Sequence, residues 1–268
     1  MARSITPLSI TRRIANLQKA AHAAFLLLAV LFVALPAAAD ETTDPWSDAL
    51  ATRDLETIED LLDGGRINPN RTTPDGKTAL MFAAQQRDAD LVVQLIAAGA
   101  NVNATNANGG TPLMYASLGG DSGITGLLLD AGARHDLQAK LGWTALALAA
   151  VKGYAPVAQA LLDAGADQRI RDAYGWTPLM RAAYTGRLEI VRLLLDAPGV
   201  DLAARQEDGA TVLHIAAAAG DRDIVQLLLA HDADRSAQDG NGNTAAIVAA
   251  LAGHAELAGF LDESDLAR

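Results

Sequence analysis

No cysteine occurs in the 268 residues. That excludes a disulfide framework, a thiolate metal site and a cysteine nucleophile, and it leaves the compartment open. Histidine is scarce. Beyond His22 there are only His135, His214, His231 and His254, and none stands in H-E-x-x-H or any other paired-ligand spacing. Neither a G-x-x-x-x-G-K phosphate loop nor a G-x-S-x-G elbow is present. Aspartates are plentiful but lie in turn-like text, where a carboxylate hydrogen-bonds its own backbone. The chain therefore yields no catalytic residue, metal ligand or cofactor cradle. An enzyme built from turn aspartates is the residual alternative, and no titratable cluster has catalytic spacing for it.

Acidic residues outnumber basic ones by 32 to 21. Four of the basic ones, Arg3, Arg12, Arg13 and Lys19, precede the apolar run AAFLLLAVLFVALP, which ends in Ala37-Ala38-Ala39 before Asp40. A basic start, an apolar run of 14 residues and a small-residue triplet make the layout of a secretory signal peptide cleaved after Ala39. A spanning helix needs about 20 residues, so an uncleaved anchor is the weaker alternative. Arg12-Arg13 lacks the context of a twin-arginine signal. Residues 40–268 carry 17 basic and 32 acidic side chains, a formal charge of −15. Such a surface repels phosphate backbones and anionic lipid, which argues against a nucleic-acid partner.

What the chain does have is a period. Gly-x-Thr occurs at Gly76, Gly109, Gly142, Gly175, Gly209 and Gly242, and the following threonines, Thr78, Thr111, Thr144, Thr177, Thr211 and Thr244, are spaced 33, 33, 33, 34 and 33 apart. Thr-Pro-Leu-Met stands at Thr111 and Thr177 and Thr-Val-Leu-His at Thr211, with TALM, TALA and TAAI at the others. The close of each unit also recurs, as LLLDAGA at Leu127, LLDAGAD at Leu161 and LVVQLIAAGANVNA at Leu91. In period and wording the chain resembles the ankyrin repeat. The resemblance implies an all-α repeat fold, an ankyrin solenoid of helix-turn-helix units with β-hairpin-like tips. It divides the chain into a signal peptide at 1–39, a linker and degenerate capping repeat at 40–73, and six repeats at 74–268, the last a C-terminal cap.

The unit also makes sense without the family name. Each threonine can N-cap a helix, and Pro112 and Pro178 then occupy the first helical position, where a missing N–H costs nothing. Leu80, Leu113, Leu146, Leu179 and Leu213 are the core positions of the first helix, followed by small pairs such as Ala83-Ala84 and Ala182-Ala183 that let helices approach. Gly120, Gly153, Gly186, Gly220 and Gly253 end that helix, and a leucine-rich second helix follows. Two short helices bury only part of their apolar surface, so stacked neighbours must cover the rest.

Several places break the pattern. DALATRDLETIEDLLDGGRINPN, from Asp48, reads as a unit without its Thr-Pro opening, with Arg53, Glu56 and Glu59 as capping polar residues. The last unit closes with Asp262, Glu263 and Asp265. One extra residue enters near Pro198-Gly199, where a change of stacking angle is expected. Gly123 and Gly126 fall within a second helix and make it the least stable expected.

The resemblance further implies protein binding through hairpin tips and the concave face of the first helices. The positions that carry over are the two flanking each tip glycine and the two after the small pair. In the middle units they hold Leu141, Trp143, Val151 and Lys152, then Tyr174, Trp176, Tyr184 and Thr185. Trp143 and Trp176 are expected side by side and exposed, with Lys140, Lys152 and Arg181 near. Four of the eleven aromatic residues would then share one patch with the composition of a binding hot spot. The candidate protein-binding residues are Leu141, Trp143, Lys152, Tyr174, Trp176, Arg181 and Tyr184. The competing reading packs both indoles over their own hairpins. His214 and His254 fall at family positions used for structural hydrogen bonds.

The sequence thus points to a non-enzymatic, cofactor-free scaffold, exported to a bacterial periplasm or secreted, that binds a protein partner. An immunity or inhibitor protein that neutralises a basic toxin or hydrolase is an alternative, since an acidic surface would steer such a partner. A spacer tethered by an uncleaved leader is another. Oligomeric state is open.

Overall fold

The computed structural model describes residues 45–64 and 68–263. The expected signal peptide and Asp265 lie outside the described residues. These contain fourteen α-helices and one 3-10 turn, with an isolated antiparallel bridge between Thr72 and Thr78 and no longer strand. They form two compact units that divide between Ala173 and Tyr174.

The first unit holds α1 (Pro45–Thr52), α2 (Leu55–Asp63), α3 (Ala79–Gln86), α4 (Ala89–Ala97), α5 (Pro112–Gly119), α6 (Ser122–Asp130), α7 (Ala145–Lys152) and α8 (Ala155–Asp163). Consecutive helices pair into hairpins. First helices then pack in series, α3 on α5 and α5 on α7, and second helices do the same, α2 on α4, α4 on α6 and α6 on α8. The second unit repeats the arrangement with α9 (Pro178–Tyr184), α10 (Leu188–Asp196), α11 (Val212–Ala219), α12 (Arg222–Ala230), α13 (Ala245–Ala252) and α14 (Ala255–Glu263). Here α9 packs on α11, α11 on α13 and α10 on α12. Each unit is the all-α stack of helix-turn-helix repeats that the period implied.

The leucine row is the core. Leu80, Leu113 and Leu146 are buried in the first unit, and Leu179 and Leu213 in the second, each with the small pair that follows it, Ala-Ala in four repeats and Ala116-Ser117 after Leu113. Thr78, Thr111, Thr144, Thr177 and Thr244 N-cap their helices, each hydroxyl accepting from the amide three residues on at 3.2–3.5 Å. Pro112 and Pro178 open α5 and α9 as expected. Many aspartates taken for turn formers are instead caps of second helices. Asp88, Asp121 and Asp221 accept from Leu91, Ile124 and Ile224 at 3.0–3.1 Å.

Gly120, Gly153, Gly220 and Gly253 end their first helices in the left-handed region. At α3 the same place is held by Arg87, with φ 66°. There the backbone takes the turn at the cost a side chain imposes in that region. In α9 the helix stops one residue early at Tyr184, and the Thr185 hydroxyl donates to the Arg181 carbonyl at 2.8 Å. The extra residue after α10 is absorbed at Ala197, which is extended where Ala98, Ala131 and Ala164 remain near-helical.

The degenerate repeat is more complete than its text suggested. Its first helix starts at Pro45, ahead of Asp48, and is anchored by Trp46, which is fully buried with Leu50 and Ile58. Pro45 at the first helical position was the signal for that start. At α13 Ile247 is 44% exposed although its counterparts Met81, Met114 and Met180 are buried, so the outward face of the last described repeat keeps apolar character.

Candidate functional site

The tips are built by short backbone ladders. In the first unit the Thr73, Asn106 and Ala139 amides donate to the carbonyls of Lys77, Gly110 and Trp143 at 2.9–3.0 Å, and the glycine amide closes each turn. Neighbouring tips are strapped together: the amides of Ala107, Lys140 and Ala173 donate to the carbonyls of Asp75, Asn108 and Leu141 at 2.7–2.8 Å. The Gln138 side chain adds a second strap, donating to the Gly142 carbonyl at 3.0 Å and the Arg171 carbonyl at 3.1 Å. In the second unit Arg205 does the same for Gly209 and Gln238, at 2.7 and 2.6 Å.

This geometry sorts the residues flanking each tip glycine. The residue before the glycine looks outward: Asp75, Asn108 and Leu141 are half-buried, and Tyr174, Asp208 and Asn241 are exposed. The residue after it turns inward, and Lys77, Gly110, Trp143, Trp176 and Ala210 are all buried. At Trp143 the backbone is extended, with φ −69° and ψ 130°. Lys77 lies 5.9 Å from the Phe82 ring centroid, and Trp176 has the Arg181 guanidinium 4.5 Å from its own.

The exposed indole pair expected from sequence is therefore corrected. Trp143 is 4% and Trp176 8% exposed, Val151 is buried, and Arg181, expected as an accessible cation, is 5% exposed. Of the candidate residues, the first unit holds Leu141, Trp143 and Lys152. Leu141 and Lys152 are half-buried, and Leu141 adopts a left-handed φ of 63°. The second unit brings Trp176, Arg181 and Tyr184 together. Tyr184 meets Trp176 edge to face with centroids 5.5 Å apart. Burial pushes the Tyr184 phenol above its usual range, partly offset by the Arg181 charge. Tyr174 stands two residues before Trp176 and is 39% exposed. A cation over an indole face is worth about 0.5–2 kcal/mol, and an edge-to-face aromatic pair about 0.5–1.5 kcal/mol.

Two buried polar groups outside this cluster were only partly foreseen. Tyr115 lies at 0% exposure and its hydroxyl accepts from Asn106 Nδ2 at 2.9 Å. Burial raises its pKa well above the ordinary tyrosine value. His214 fulfils the structural role expected: Nδ1 accepts from the Thr211 amide at 3.2 Å, which places the proton on Nε2, and Nε2 donates to the Asn243 carbonyl at 3.0 Å. Burial lowers its pKa and keeps the ring neutral, against an opposing contribution from the Asn243 carbonyl. His254 serves differently, with its ring packed over Gly220. Among the described residues no group of three or more His, Asp or Glu is placed to hold a metal ion.

Comparison with known proteins agrees with the repeat architecture. A family model described as ankyrin repeats in three copies matches residues 47–139, 120–206 and 198–266. Two curated proteins, each named ankyrin repeat, SAM and basic leucine zipper domain-containing protein 1, come from Saimiri boliviensis boliviensis and Ateles geoffroyi. Each is 39% identical over 62 residues, which is 23% of this chain and 13% of the relative. The chain thus spans a small part of those relatives, and the likeness is one of repeats. Ankyrin repeats are a protein-interaction scaffold, generally without catalysis of their own. With the period, the capped helix pairs, the strapped tips and the family match in agreement, this chain belongs to the ankyrin repeat family.

Proposed function

We propose that the protein is an exported scaffold that binds a protein partner through the hairpin tips and first-helix faces of its middle repeats. The observation that carries this reading is the exposed Tyr174 ring at a tip beside the buried Trp176 and Arg181 and the half-buried Tyr184, which pack on one another. An aromatic side chain brings large contact area with few rotatable bonds, which favours it as an anchor. Leu141 and Lys152 offer a corresponding half-exposed apolar and cationic surface in the first unit. Trp143 and Trp176 then act from beneath, as supports of the contact residues.

Capture from an extract of the source organism, comparing the mature protein with a Tyr174→Ser, Lys152→Ala variant of equal helicity, tests the site. Loss of a captured protein with the variant supports it, and equal capture by both rejects these residues as contacts. The formal charge of −15 on residues 40–268 favours a basic partner, and the immunity or inhibitor reading is one form of it. Under that reading the capture weakens steeply with salt. Export rests on the N-terminal layout alone. Sequencing the mature N-terminus tests it: a chain that starts at Asp40 supports cleavage, and one that retains residues 1–39 supports the tethered form.

A further inference from the structure

We infer that Asn241 is a site of spontaneous covalent modification, where the side-chain amide is lost through a cyclic imide and the last described tip acquires a carboxylate. Asn-Gly occurs twice in the chain, at Asn108-Gly109 and Asn241-Gly242. Glycine is the residue that least obstructs attack by its own amide nitrogen on the preceding asparagine side chain. The two sites share that chemistry and differ in their surroundings.

At the first site the tip is enclosed. The Asn108 carbonyl accepts from the Lys140 amide at 2.7 Å, and a methyl group on Gly109 would lie 3.0 Å from Ala139 Cα. The backbone movement that brings the Asn108 side chain onto the Gly109 nitrogen must break that strap and displace the next tip. At the second site Asn241 is exposed, and a methyl on Gly242 would meet nothing within 4 Å. No further tip follows among the described residues. The Gly242 amide donates to the Asp239 carbonyl at 3.0 Å, as its counterpart at Gly109 does to Asn106 at 2.9 Å, so that bond does not separate the two sites. What separates them is the cover from the neighbouring repeat.

The reaction needs only water. The Gly242 nitrogen gives up its proton to solvent and attacks Asn241 Cγ. A nitrogen–Cγ bond forms, the Cγ–Nδ2 bond breaks, and the side-chain nitrogen leaves as ammonia. Water then opens the five-membered imide. Addition at Cγ gives aspartate in the ordinary linkage, and addition at the backbone carbonyl carbon gives the β-linked isomer. Either product places a negative charge beside Asp239, whose carboxylate accepts from the Asn241 and Asn243 amides at 2.8 and 2.9 Å. The β-linked form also lengthens the main chain within that collar. The Asn243 carbonyl is the acceptor for His214, so the altered tip adjoins the contact that joins the last two repeats.

The test is timed peptide mapping by mass spectrometry of the full chain in mildly alkaline buffer, with Asn108 as internal comparator and a urea-unfolded sample as chemical control. We expect the two sites to convert at similar rates in urea and Asn241 to convert roughly tenfold faster than Asn108 in the folded chain, because exposed segments open more readily than covered ones. Isoaspartyl methyltransferase should label residue 241, distinguished by fragmentation from the neighbouring Asp239-Gly240, and Asn241→Gln should abolish the label at that position. Equal rates in the folded chain, faster conversion at Asn108, or an Asn241 that is inert when folded but reactive in urea would each overturn the inference.

Discussion

Gly142 and Asp172 approach so closely that a methyl group on Gly142 would lie 2.7 Å from Asp172 Cα. One tip rests on the backbone of the next, and only a residue without a side chain leaves room. Gly142 also has φ 79°, in the left-handed region. Gly142→Ala meets both penalties and should destabilise the protein by about 2 kcal/mol or more, the left-handed backbone alone costing about 1–2 kcal/mol. Urea denaturation followed by circular dichroism measures it. A change under half that size would mean that the tips separate easily.

Helix α6 carries the opposite case. A methyl on Gly126 would meet nothing within 4 Å, so Gly126→Ala should gain about 1 kcal/mol of helix propensity without a clash. At Gly123 the added methyl would lie 3.2 Å from the capping carboxylate of Asp121, so the gain there should be smaller. Thermal and chemical midpoints of the two variants decide. A destabilised Gly126→Ala would point to a required flexibility in α6.

Arg87 stands where five other repeats have glycine, at φ 66°. Its link to Asp121 is long, at 3.7 Å, and its side chain is 61% exposed, so little is lost with it. Arg87→Gly should therefore stabilise by up to about 1 kcal/mol through relief of the left-handed backbone. An unchanged or lower denaturation midpoint would contradict this.

The buried indole and the exposed phenol of the candidate site separate by stability. Trp176→Ala should cost about 3–5 kcal/mol, the range for truncation of a buried large aromatic. Tyr174→Ser, at an exposed tip, should stay within about 0.5 kcal/mol of the parent. Equilibrium unfolding of both variants distinguishes support from contact surface. A large loss at Tyr174 would make it a packing residue and remove it from the proposed interface.

His214 sets a pH dependence. Its folded pKa lies below the unfolded value of about 6.5, so the unfolded chain binds the proton more readily. Stability from this residue is present above about pH 6.5 and is lost as pH falls from there through the folded pKa. His214→Gln should flatten the stability profile in that window. Asp239 gives a separate loss at lower pH. Burial raises its pKa, but the Asn243 and Asn241 amides and the Asn243 side chain outweigh it, and the net shift is downward. Its contribution is present above about pH 3.9 and disappears below. Identical profiles for parent and His214→Gln would exclude the histidine as the source.

Much of this was legible in the chain. The threonine period gave the repeats, Thr-Pro gave helix starts at α5 and α9, and the leucine rows gave the core. Each signal is local, and the threonine that sets the period recurs six times, so chance agreement is averaged away. The caps at Asp88, Asp121 and Asp221 carried a readable signal too, an aspartate three residues before a buried apolar position, but turn chemistry competes for the same residue.

The repeat, its helix pairs and its family were thus determined by the sequence, because capping, turn formation and apolar spacing act over a few residues and are written in them. Side-chain direction at the tips was decided by tertiary structure. Tyr174 and Trp176 both flank Gly175 and both are aromatic, yet one faces solvent and the other is buried beneath Arg181. Composition cannot separate them. The left-handed Gly175, at φ 78°, turns the chain between them, and it lies so close to the Gln206 backbone that an added methyl would be 3.1 Å from Gln206 Cα.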